Sequence, residues 1–160
     1  MSNVCLAPPQ DATLIDLNDN STVRSSDLWK SKPALVLVIR RPGWGMCREQ
    51  ASVILKQKRT LDKLGISIYG IVKENIPEEI KSFREDVWSE DLFMDSKLEF
   101  YKALGGGKLN SYSKCGFLCT FLCCCCSQLN KNIRKGRGYK QKKNLVGEGL
   151  ITGGLYVVRT

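Results

Sequence analysis

The chain reads as an α/β domain built around parallel central strands, and three observations carry that reading. Two near-continuous apolar runs, residues 34–39 (Ala-Leu-Val-Leu-Val-Ile) and 66–72 (Ile-Ser-Ile-Tyr-Gly-Ile-Val), have the pattern of strands buried on both faces. Between them lies a stretch with helical spacing of its apolar residues, and the strand–helix alternation repeats downstream. At 160 residues the chain fits one compact domain with a sizeable core and is too short for two ordinary ones.

Residues 1–11 read as a flexible N-terminus ahead of a domain spanning 12–160. Alternating apolar and polar residues at 12–18 predict a short strand closed by the turn Asn18-Asp-Asn-Ser. Ser25-Ser-Asp-Leu-Trp-Lys30 suggests a capped helical turn leading to Pro33, and the first buried strand follows. From Cys47 to Leu64 a single helix is expected, with Ala51, Ile54, Leu55, Leu61 and Leu64 on its apolar face and Gly65 as its C-terminal stop. After the second buried strand, Pro77 opens a helix through Phe83. Leu92–Asp95 is a third strand and Leu98–Leu104 a short helix before Gly105-Gly-Gly107. A Cys-rich and basic insertion occupies about 109–146, after which Leu150–Val158 reads as a strand broken by a Gly-Gly bend. Thr160 follows that apolar strand closely, so the sheet is expected to be truncated at its C-terminal edge.

Composition removes several kinds of chemistry. There is no histidine, which excludes Cys-His and Ser-His catalysis and His-containing zinc sites. The net charge of +9 is concentrated in residues 131–143, which hold seven Lys and Arg and no acid, so the basicity is a local patch and gives little support for nucleic-acid binding. The first residues lack the pattern of a signal peptide and no run is long enough to span a bilayer. A cytoplasmic location is expected, and the eight Cys are read as thiols rather than a disulfide framework.

The candidate site is the passage from the first buried strand into Arg40-Arg-Pro-Gly-Trp-Gly-Met-Cys47-Arg-Glu-Gln50. A strand, a tight turn and a Cys at a helix start are the parts of a thioredoxin-like redox site, where helix N–H groups and cationic neighbours stabilise a thiolate. Arg40, Arg41 and Arg48 are candidates for that stabilisation or for ordinary surface charge, and Pro42 and Gly43 for shaping the turn. Cys47 itself is either this reactive thiol or a small buried hydrophobe. Three residues before it, where a Cys-x-x-Cys motif would place its first Cys, stands Trp44.

At Arg-Arg-Pro-Gly-x-x-x-Cys-Arg-Glu-Gln-Ala the sequence resembles the peroxiredoxin-like 2 family, which includes selenoprotein U and the prostamide/prostaglandin F synthases within the AhpC/TSA superfamily. The resemblance extends to Asp27-Leu-Trp29, Ile71-Val-Lys-Glu74, Phe100–Lys108 and Gly147–Val158. It implies a thioredoxin-like fold, with a central mixed sheet flanked by helices. It also implies a thiol- or selenol-dependent antioxidant protein that reduces peroxides or endoperoxides, in some members with NADPH. The implied reductants are NADPH, thioredoxin or glutathione, with no tightly bound cofactor; no metal is expected, from the missing histidine and the cysteine spacing. Cys47 corresponds to the second, resolving position of the family motif, and Trp44 stands where the attacking thiol or selenol would be. Three readings stay open: a selenocysteine codon rendered as Trp, a genuine substitution leaving a degenerate binding or redox-regulatory protein, or Cys47 working alone. The peroxiredoxin signature Pro-x-x-x-Thr/Ser-x-x-Cys is absent, and no proline after Pro77 can face the site as a cis-proline, so the bend Thr152-Gly153-Gly154 is the candidate facing loop.

Cys115, Cys119 and Cys123, Cys124, Cys125 and Cys126 form a second cluster. Its spacing lacks the paired C-x₂-C ligands of zinc modules. An apolar segment followed by basic charge suits either an insertion helix packed on the domain or S-acylation with peripheral membrane contact through residues 115–143.

Overall fold

The computed structural model describes residues 7–111 and 147–159. The Cys-rich and basic insertion beyond Ser111, with Cys115, Cys119 and Cys123–Cys126, therefore lies outside the described residues, as do residues 1–6. Among the described residues, six strands form one mixed sheet: β1 (Thr13–Asp16), β2 (Thr22–Arg24), β3 (Ala34–Val38), β4 (Ser67–Val72), β5 (Asp91–Met94) and β6 (Gly154–Val158), in the order β2-β1-β5-β4-β3-β6. The β3, β4 and β5 strands run parallel, and β1 and β6 flank them antiparallel. Four α-helices among the described residues accompany the sheet: α1 (Gly45–Lys56), α2 (Lys58–Lys63), α3 (Pro77–Asp86) and α4 (Glu99–Leu104).

The alternation of side chains along β3 divides the core in two. Ala34, Val36 and Val38 join Trp29, Ile71, Phe100, Tyr101 and Tyr156 on one face. Leu37 joins Ala51, Phe83, Trp88 and Leu92 on the other, under α1 and α3. Edge-on contacts of Phe100 with Trp29 and Tyr156, at 6.4 and 5.9 Å between ring centroids, hold α4 on the first face. Phe83 and Trp88 stack at 5.9 Å on the second.

Several elements differ from the sequence expectation for local reasons. The first strand is half of a hairpin: β2 pairs Thr13–Ile15 in antiparallel register, but at three residues its alternation is too short to read. The turn at Ser25–Trp29 is a 3-10 helix with no side-chain cap. Its Ser25 hydroxyl instead donates to Pro9 O at 2.7 Å and accepts from Ala12 N–H. The Trp29 indole donates to Gln10, so Pro9 and Gln10 are fastened to this turn ahead of the expected domain start. The long helix from Cys47 to Leu64 is two helices meeting at Gln57, and Leu64 is 65% exposed rather than part of the apolar face. Gly65 does stop it, with φ at +70° and the Ile66 N–H bonded back to Leu61 O at 2.9 Å. The final strand begins only at Gly154, because Ile151 pairs instead with Ser111. Among the described residues β6 is a sheet edge, and Leu155 and Val157 on its outer face are exposed, Val157 by 71%.

Gly70 in β4 marks how tightly the second face is packed. A Cβ there would lie 2.7 Å from Leu92 Cδ1 and 3.0 Å from the Trp88 ring. Gly70→Ala is expected to lower stability by about 1–3 kcal/mol through overpacking, read as a reduced urea midpoint with an unchanged m-value.

Candidate functional site

The site lies where parallel strands β3 and β4 end, the usual position for ligands in α/β sheets. After Val38 the backbone continues through Ile39, whose N–H bonds Ile71 O at 2.7 Å, and then turns over Arg40–Gly43 into α1. Trp44 is the N-cap of α1 in extended conformation, and its N–H bonds Arg41 O at 3.1 Å. Cys47 therefore falls in the first turn of the helix, as the motif requires. It lines a cavity of about 530 Å³ together with Val38, Arg40, Trp44, Met46, Glu49, Gln50, Val53, Thr152 and Gly153. The structure thus brings together Cys47, Trp44, Arg40, Thr152 and Gly153 from three separate stretches of sequence. Gly154 starts β6 beside them and packs against Leu104. Met46, Glu49, Gln50 and Val53 line the cavity because α1 turns that face toward it, and they carry no motif signal of their own.

Cys47 is a free thiol only 8% exposed. Burial pushes its pKa up, while the backbone amides of Arg41 and Arg40 and the charges of Arg40 and Lys73 pull it down; the net shift is upward. The resting form at neutral pH is consequently the protonated thiol. Trp44, half-buried at the cavity wall, is stacked by the Arg40 guanidinium at 4.4 Å from its ring centroid.

The three arginines have different surroundings. Arg40 faces the cavity and donates from Nε to Gly149 O at 2.6 Å. Arg41 donates to Gly147 O. Arg48, in contrast, is 3% exposed and is not a surface charge. It donates to Pro42 O at 2.8 Å and Ser82 Oγ at 2.9 Å and pairs with Asp86 at 2.6 Å, which fixes the turn to α3. These are loop-shaping contacts. Pro42 and Gly43 are buried within the same turn.

The facing loop is held by groups that no sequence pattern singled out for the site. Lys73, just past β4, has a side chain only 5% exposed; its ammonium donates to Arg40 O at 2.8 Å and pairs with Glu148 at 2.8 Å. Glu148 also accepts from the N–H groups of Leu150 and Ile151, and Glu74 accepts from Glu148 N–H at 2.9 Å. Burial opposes ionisation of Glu148, but Lys73 and those two amides overcome it and lower its pKa. The Tyr101 hydroxyl, buried below, donates to Ile39 O at 2.8 Å. Lys73, Glu74 and Gly147–Ile151 belong to stretches that resemble family signatures, which was the one available sign that they matter.

Gly153 completes the site by close approach. A Cβ there would fall 2.2 Å from Val38 O and 2.9 Å from Arg40 N, so only glycine lets this bend lie against the end of β3. Gly153→Ala is expected to cost about 3 kcal/mol and to displace the bend from the cavity, seen as a lower unfolding midpoint and as increased alkylation of Cys47. For the clamp, Glu148→Gln should destabilise by about 1–2 kcal/mol by leaving Lys73 without its counter-charge, a value reduced because Glu148 is partly exposed. Because the folded pKa of Glu148 is lowered, its contribution is present above the ordinary carboxylate range and lost as pH falls through the folded value. Stability measured against pH should therefore decline less on acidification in the Gln variant.

Comparison with known proteins agrees with this architecture. Residues 54–160 match the family described as AhpC/TSA antioxidant enzyme, a region that begins after Cys47 and so does not depend on the redox motif. The chain is 33% identical to Peroxiredoxin-like 2A of Gallus gallus over 98% of its own length and 69% of that protein's. It is 34% identical to Peroxiredoxin-like 2A of Xenopus tropicalis over 88% of its length, spanning 57% of that protein. Among solved structures, the thioredoxin domain of a thiol-disulfide oxidoreductase from Bacteroides vulgatus superimposes with a TM-score of 0.51 at 25% identity, covering 65% of this chain and 73% of that one. A thioredoxin-like protein from Porphyromonas gingivalis gives 0.50 at 15% identity over 89% and 99%, a likeness of fold. The chain belongs to the AhpC/TSA antioxidant-enzyme family, among its peroxiredoxin-like 2 members, and is a redox-type protein of thioredoxin-like fold.

Proposed function

We propose that the protein is a thiol-dependent reductase of peroxides or endoperoxides of the peroxiredoxin-like 2 type, working in a one-thiol cycle through Cys47. The observation that carries this reading is the place of Cys47: a free thiol in the wall of a cavity between the first turn of α1 and the Thr152–Gly153 bend, with Arg40 alongside. A dithiol cycle through this motif is blocked by Trp44, since indole is not a nucleophile.

In the proposed cycle Cys47 loses its proton and the thiolate attacks one oxygen of a hydroperoxide. An S–O bond forms, the O–O bond breaks, and the departing oxygen takes up a proton to leave as an alcohol. The resulting sulfenic acid is attacked by an external thiol, forming a disulfide and releasing water. A second thiol then displaces Cys47 as the free thiol and carries away the disulfide. The two electrons come from glutathione or thioredoxin, both of which are recharged from NADPH. Such donors suit a reducing, cytoplasmic location.

A second reading has an observation in its favour. With Trp44 in the attacking position and burial holding Cys47 protonated, the cavity also suits a redox-silent protein that binds or regulates a thiol partner. Peroxide consumption by the purified chain with glutathione or a thioredoxin system separates the two. The reductase reading expects turnover that Cys47→Ser reduces to background, with a rate that climbs with pH through the neutral range because the thiol titrates above its ordinary value. Absent turnover gives the binding protein, and turnover unchanged by Cys47→Ser overturns the Cys47 cycle by placing the chemistry on another of the eight cysteines.

A further inference from the structure

Behind the redox turn lies a titratable group that neither reading uses. Glu79, in the first turns of α3, is 3% exposed, and neither carboxylate oxygen closes a hydrogen bond within the structure. The carboxyl sits directly beneath Gly43: a Cβ at that glycine would lie 2.8 Å from Oε1 and 2.9 Å from Oε2. Arg41, two residues earlier in the same turn, has its own Nε buried without a partner, while its Nη2 reaches across to Gly147 O. One short turn therefore holds an unsatisfied carboxyl on one side and a half-satisfied guanidinium on the other. The same turn carries Trp44 and leads into Cys47.

We propose that Glu79 is a positioning residue for Cys47, the charge on its carboxyl deciding whether the Arg40–Trp44 turn stays closed over the thiol. A neutral carboxyl fits the buried pocket against the glycine; an ionised one there is a buried charge whose desolvation the Gly43 amide, Arg41 and Arg48 offset only in part. Proton loss drives the carboxylate off Gly43 toward the Arg41 guanidinium, which draws Arg41 from Gly147 and relaxes the turn. The groups facing Glu79 are the Gly43 backbone amide and Arg41 from the turn, Arg48 from α1, and Glu74 from the end of β4. Burial raises the Glu79 pKa most strongly; Gly43, Arg41 and Arg48 oppose it, Glu74 adds to it, and the net shift is upward. A carboxyl raised in the folded state stabilises the fold below its unfolded value and loses that contribution as pH rises through the folded one. The switch thus operates above the ordinary glutamate value and below the titration of Cys47.

The test is the rate of alkylation of Cys47 by iodoacetamide in the full chain. It is followed from pH 5 to 9 by mass spectrometry of the Cys47 peptide, so that the other cysteines do not contribute. A lone thiol gives a straight rise with unit slope in the logarithm of the rate below its pKa. The wild-type protein is expected to depart upward from that line, by about threefold or more, as Glu79 loses its proton. Glu79→Gln should give the straight line, and the exposed neighbour Glu78→Gln should keep the step. A straight line in the wild type overturns the proposal without any variant, as does a step that survives in a folded Glu79→Gln protein. Because alkylation is read rather than peroxide turnover, a silent reductase assay and a missing step are separate outcomes.

Discussion

The buried Lys73 ammonium is the contact on which the site depends. It is placed just beyond β4, yet it bonds the carbonyl of Arg40 after β3 and the carboxylate of Glu148 before β6. Three stretches of chain far apart in sequence meet at one cation. A buried ammonium without partners is strongly unfavourable, so the carbonyl and the carboxylate are effectively obligatory once Lys73 is in position. Glu148 in turn orders the amides of Leu150 and Ile151, and so sets the bend that faces Cys47.

Around that cation the site is organised by backbone proximity more than by catalytic side chains. Gly153 touches the end of β3, and Arg48 ties the turn to α3. The Tyr101 hydroxyl holds the last carbonyl of the strand run from below. This rigidity suits a thioredoxin-like frame that presents one thiol at a helix start. Its cost appears at Cys47 itself, where the same close packing that builds the cavity wall keeps the thiol protonated. Trp44 belongs to this economy: stacked by Arg40, it fills with aromatic surface the position from which a second thiol would act.

Long-range pairing also explains where local reading of the chain fell short. The β2 strand is too short to show its alternation and exists because β1 offers it an edge. The break at Gln57 between α1 and α2 has no proline or glycine to announce it, and Leu64 fits a helical stripe on paper but not once the axis changes. Arg48 reads equally as a thiolate-stabilising cation or a surface charge, because nothing nearby in sequence reveals Asp86 and Ser82 waiting on α3. Glu79 is likewise an ordinary first-turn acid of a helix until the turn at Gly43 is laid over it.

The sequence by itself determined the parallel β3–α1–β4 frame, the helix beginning at Pro77, the thioredoxin-like architecture and the placing of Cys47 at a helix start. The frame, the Pro77 helix and the place of Cys47 follow from apolar runs, turn residues and one motif, which act over a few neighbouring residues, while the thioredoxin-like architecture came as what the family resemblance implies. Tertiary structure alone decided what surrounds that thiol: the Lys73–Glu148 clamp, the inward course of Arg48, the carboxyl beneath Gly43 and the upward shift of the Cys47 pKa. The physical reason is that burial and charge pairing are properties of assembled surfaces. The strand–turn–Cys motif fixes where a thiol stands, and the desolvation that governs its protonation arises only when α1, α3 and the 147–153 loop close around it.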